Sequence, residues 1–159
     1  MRCRWRELLA LGAALTAAES GAAQGIREIG VVAMATSSDP ALAVAGAYAA
    51  LRTSSRVRLS ASLGAGISDG DLAWRGELLG HFLLSPEERR KAGVYFAGGV
   101  AVVEGPVSRG YLVLTLGIEE RPRAGSGWAV EAGFGGGFRL ALGYRWRHFS
   151  GSVPQQERP

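Results

Sequence analysis

The chain has 159 residues, 24 of them glycine, with one cysteine and 20% charged residues. That length holds one domain, a lone cysteine rules out a disulfide framework, and so much glycine points to tight turns and crowded positions rather than long helices. The formal charge of +4 comes mainly from arginines spread along alternating strands, and there is no nucleic-acid motif, which sets nucleic acid aside as a partner.

At the N-terminus, Arg2, Arg4 and Arg6 form a positive region, Leu8 to Ala18 an apolar stretch, and Ser20 to Gln24 a small-residue region. This order predicts a secretory signal over residues 1–23, cleaved after Ala22 or Ala23. The apolar stretch is well short of the roughly 20 residues a spanning helix needs. Cys3 lies in the positive region and not where a lipid-attachment cysteine would stand, so the exported chain carries no thiolate for a metal site.

Eight extended runs of about ten residues follow, the length of a membrane-crossing β-strand. They are Arg27–Thr36, Ala41–Arg52, Arg56–Ser68, Leu72–Leu84, Gly93–Val103, Gly110–Arg121, Gly127–Phe134 and Phe138–Phe149. Between them stand Gly, Pro, Asp and Ser, which supply the backbone angles of tight turns. The second run, ALAVAGAYAALR, is rich enough in alanine to suit a helix and is read as strand from its neighbours. The fifth is apolar or glycine on both faces, so its register is open. The predicted barrel spans 24–150, and 151–159 is expected to be a disordered tail.

Alternate side chains of a strand point to opposite faces. In the last run, Phe138, Leu140, Leu142, Tyr144, Trp146 and His148 share one face, while Arg139, Ala141, Gly143, Arg145 and Arg147 share the other. The same division recurs in runs three, four, six and seven. Everywhere the charges are accompanied by Gly, Ala or Ser, as if space on that side were scarce. A water-facing surface has no such limit, whereas the interior of an eight-stranded barrel is only wide enough for side chains to fill. The polar face is therefore assigned to the lumen and the apolar face to lipid, with Trp74, Trp128, Tyr144 and Trp146 as an interfacial girdle. The expected fold is an all-β, eight-stranded antiparallel up-and-down transmembrane barrel.

In that fold Arg58, Arg75, Arg139, Arg145 and Arg147 form a luminal ion-pair network with Glu77, Glu119 and Glu131, because buried charges must be paired. A narrow anion path lined by surplus arginine is the functional alternative. His81 is expected near Glu77 and Arg58 as a satisfied luminal histidine. Two distant histidines without cysteine or HExxH-type spacing predict no metal site, and nothing predicts a cofactor.

Signal, eight amphipathic strands and an aromatic last strand resemble the small outer-membrane β-barrel proteins of diderm bacteria, over essentially the whole mature chain. Within Ala141-Leu-Gly-Tyr-Arg-Trp-Arg-His148, the residues Gly143, Trp146 and His148 are similar to that family's assembly signal. The resemblance implies outer-membrane lipid surroundings and recognition by the barrel-assembly machinery. His148 stands where an aromatic is usual, Phe149 is out of register, and the tail is an addition. His148-Phe-Ser150 is also similar to the His-x-Ser of outer-membrane lipid A deacylases, which would make His148 a base and Ser150 a nucleophile. That family's following Asn is Gly151 here, and its orienting carboxylate, on a further strand, has no counterpart. The leading expectation is a non-enzymatic barrel with a structural or scaffold role. A deacylase-like enzyme and a soluble periplasmic barrel holding an apolar ligand are the alternatives.

Overall fold

A computed structural model describes residues 26–86 and 91–149 of the chain. Eight strands run through them: β1 Ile26–Thr36, β2 Leu42–Arg52, β3 Val57–Ser68, β4 Asp71–Leu83, β5 Ala92–Glu104, β6 Arg109–Glu120, β7 Ser126–Phe134 and β8 Phe138–Phe149. Each strand end lies within one residue of the run read from the sequence. Consecutive strands pair antiparallel and β8 closes onto β1, giving a closed barrel. No helix occurs among the described residues. The signal expected over 1–23, the tail over 151–159 and Ser150 fall outside them.

Following the register around the barrel fixes its geometry. From Ile26 the pairs run through Arg52, Arg58, His81, Ala97, Thr115, Gly133 and Arg139, and return to β1 at Thr36, ten residues further on. Strand number and stagger together set a narrow barrel whose interior side chains can fill. The sharpest connection is the Asp69-Gly70 turn, with φ of 53° and 86°. Two successive positive φ angles make the primed turn whose twist matches a hairpin.

The faces divide as the alternation predicts. Leu59, Leu63, Ile67, Leu114, Leu116 and Leu140 point outward, and Leu112 reaches 83% exposure, while Arg58, Glu119 and Arg139 inside are at most 1% exposed. A soluble barrel would have these faces reversed, so the soluble apolar-ligand alternative is not what this fold provides. The alanine-rich run is strand β2, its Ala43, Ala45, Ala47 and Ala49 facing outward. The open register of β5 also settles, with Tyr95, Ala97, Ala101 and Val103 inside. Tyr95 can lie flat in the lumen because Gly117 faces it; a side chain there would run into the tyrosine ring.

Apolar residues still fill part of the interior. At the end away from the chain termini, Met34, Leu42, Val44, Ala73, Val103 and Ala141 form a buried cluster, and Leu79, Ala97, Ala101 and Val113 form a second. The remaining luminal volume is where the charges lie.

Candidate functional site: a luminal charge network

At the termini end, β1 supplies Glu28, β2 Arg52, β3 Arg58, β6 Glu119 and β8 Arg147. Arg52 Nε donates to Glu28 Oε1 at 2.9 Å, and Arg58 Nη1 to Glu119 Oε2 at 2.7 Å. Glu119 also accepts from Arg52, Arg145 and Arg147 at 3.3–3.4 Å. Arg145 leads inward, its Nη2 lying 3.0 Å from Glu131 Oε1 and 3.1 Å from the Tyr95 hydroxyl, which itself donates to Glu131 at 2.8 Å. Arg139 then bridges Glu131 at 2.9 Å and Glu77 at 2.8 Å, and Arg75 Nε reaches Glu77 at 2.8 Å. The result is one continuous ladder along the lumen. Arg145 and Arg58 also stack over the rings of Tyr48 and Tyr95, at 4.5 and 4.8 Å.

Six buried arginines face four buried glutamates among the described residues, and the surplus has partners. Arg52 donates to the Pro122 carbonyl at 3.1 Å, Arg147 to the Ala124 carbonyl at 3.2 Å, and Arg75 to the Gly135 carbonyl at 2.9 Å. These carbonyls belong to the β6–β7 and β7–β8 connections, at opposite ends of the barrel. Surplus guanidinium therefore ties a turn over each mouth, using donor groups that a carboxylate count leaves over. A cavity of about 20 Å³ lies among Tyr48, Ser60, Ser62, Glu77, Glu131 and Arg145, room for about one water.

His81 shares the inner face of β4 with Glu77 and hydrogen-bonds Arg58 and Ser60. Arg58 Nη2 lies 3.3 Å from Nδ1, and Ser60 Oγ 2.7 Å from Nε2. Histidine and serine at that distance are the beginning of a nucleophilic pair. The tautomer works against it. Arginine only donates, so Nδ1 must accept and Nε2 carries the proton that goes to Ser60. The imidazole is thus a donor to the hydroxyl it would have to deprotonate.

All nine residues expected in the network face the lumen: Arg58, Arg75, Glu77, His81, Glu119, Glu131, Arg139, Arg145 and Arg147. Glu28, Arg52, Tyr48, Ser60 and Tyr95 join them and were not singled out from sequence. His148 is elsewhere, exposed on the outer wall of β8. Trp146 is also outside, stacked edge-on with Tyr144 at 5.0 Å, and Tyr144 with Trp128 at 4.9 Å. Gly143 points inward between Ala141 and Arg145. Among the described residues no group of three metal-ligating side chains occurs.

No family model and no curated protein matches the chain. Among solved structures it is similar to bacterial β-barrels, and the fold is a closed eight-stranded antiparallel barrel of that kind. One is the N-terminal β-barrel domain of Pseudomonas aeruginosa OprF, at 13% identity and a TM-score of 0.62, covering 79% of this chain and 100% of that one. Another is Neisserial surface protein A, at 8% identity and a TM-score of 0.58, covering 81% of this chain and 100% of the other.

Proposed function

We propose that the protein is an exported, non-enzymatic barrel of the outer membrane of a diderm bacterium, with a structural or scaffold role. Export uses the signal over 1–23, and the barrel-assembly machinery reads Gly143, Trp146 and His148. Both termini face the periplasm, since an even number of strands returns the chain to its starting side. The observation that carries this reading is the inverted surface: an apolar, aromatic-edged wall outside and a paired charge ladder inside. The fold likeness to bacterial barrels supports it.

A porin-like role is disfavoured by the lumen, which is filled by apolar packing, ion pairs and tethered turns at both mouths. The deacylase reading rests on His148 and Ser150; His148 stands at the termini end, whereas lipid A occupies the outer leaflet, and among the described residues no carboxylate is hydrogen-bonded to His148. Cell fractionation tests the proposal: the protein should require detergent for extraction and migrate faster on a gel when unboiled. Recovery in the soluble periplasmic fraction would sink it. Vesicles carrying the barrel should retain a small sugar as well as empty ones, and rapid leakage would restore the pore. Loss of an acyl chain from lipid A on expression, seen by mass spectrometry, would restore the enzyme.

A further inference from the structure

The outer wall at the β1–β8 seam carries an ordered strip outside the luminal network. Reading from the termini end, the register sets Arg27 opposite His148, Ile29 opposite Trp146, Val31 opposite Tyr144 and Ala33 opposite Leu142. Arg27, Ile29, Val31 and Ala33 are exposed on β1, and His148, Trp146 and Leu142 on β8. A basic rung is followed, about 7 Å higher for two residues of strand, by two aromatic rungs, Ile29–Trp146 and Val31–Tyr144, and then by the apolar Ala33–Leu142. That is the sequence of a phospholipid's own chemistry: phosphate, glycerol backbone, acyl chain.

We infer that the Arg27–His148 rung, beneath Trp146, binds the phosphate of an anionic glycerophospholipid in the leaflet at the termini end. This rests on the membrane reading above. A guanidinium offers paired donors that match phosphate oxygens, and imidazole adds another. Indole belongs at the depth of the headgroup and glycerol. The charge of the two ends favours an anionic lipid here. Among the described residues, Arg27, Arg56, Lys91, Arg121 and Arg123 are exposed toward the termini end with Glu120 half-exposed, whereas Asp39, Asp69, Asp71 and Glu104 are exposed with Arg109 toward the other. One arginine near an anionic surface shifts lipid occupancy about fivefold.

The test uses the chain from residue 24, refolded into micelles with equal amounts of phosphatidylglycerol and phosphatidylcholine of the same acyl chains, and read by native mass spectrometry. Wild type should retain phosphatidylglycerol preferentially. Arg27→Gln should lower that preference about fivefold, Arg27→Gln with His148→Gln should remove it, and Arg109→Gln at the opposite end should leave it unchanged. Equal retention of both lipids by wild type overturns the inference. So does an unchanged preference in the double variant when its migration still changes on boiling. If the double variant does not fold, the Arg27→Gln arm decides on the same terms. A wild-type protein that stays soluble without detergent and never becomes heat-modifiable refutes the membrane reading instead.

Discussion

Glu119 on β6 receives guanidinium groups from β2, β3 and β8, the shortest of them at 2.7 Å from Arg58. A carboxylate that ties four arginines across the lumen leaves several buried cations short of a partner when it is neutralised. Removing one side of a buried pair costs about 3–5 kcal/mol, so Glu119→Gln should lower the unfolding free energy in lipid vesicles by about that amount. Glu120→Gln, half-exposed beside Arg121, should change it by less than about 0.5 kcal/mol. Urea titrations followed by tryptophan fluorescence compare the two directly; equal, small effects would mean that the luminal charges are solvated.

At this scale the sequence was readable where charge and small residues alternate, and opaque where they do not. Arg27 and Glu28 are adjacent, one outside and one inside, and the run around them is apolar on both faces, so nothing in it says which is luminal. Arg52 closes an alanine-rich run whose local preference is helical. Tyr95 sits in a strand with no polar face, and only closure of the barrel against Gly117 and Glu131 shows its direction. The Ser60–His81 contact depends on cross-strand register, which a single strand does not carry.

At the scale of elements, strand positions were legible almost to the residue because turn residues punctuate runs of constant length. Asp69-Gly70 illustrates why: a two-residue turn with positive φ at both positions pins the ends of β3 and β4. The β2 strand shows the converse. Its alanines prefer helix in isolation, and pairing with β1 and β3 along its full length overrides that preference. Which face meets lipid was legible from the small residues beside the charges. Leu114, near the centre of β6 and 53% exposed, tests that assignment. Leu114→Arg should cost about 2–4 kcal/mol of folding stability in vesicles, the cost of arginine at a bilayer midplane. A change within about 0.5 kcal/mol, as at a water-facing site, would place that face in water.

For the whole molecule, the fold is a barrel turned inside out relative to a soluble one, and its charge surplus has a structural use. Arg52 and Arg147 hold the β6–β7 turn at one mouth while Arg75 holds the β7–β8 turn at the other, so ladder and lids are one network. This closure could not be read from composition, because it joins side chains to turn carbonyls that have no residue-type signature. Outside, the tryptophans of the described strands all face away from the lumen: Trp74 is 48% exposed, Trp128 52% and Trp146 43%. The fourth, Trp5, lies within the signal expected over 1–23. Fluorescence of the chain from residue 24, in vesicles of lipids brominated along the acyl chain, therefore reports on the outer wall alone. The account predicts strong quenching by the bromolipids and little by aqueous iodide. Emission untouched by bromolipid and quenched by iodide would contradict it.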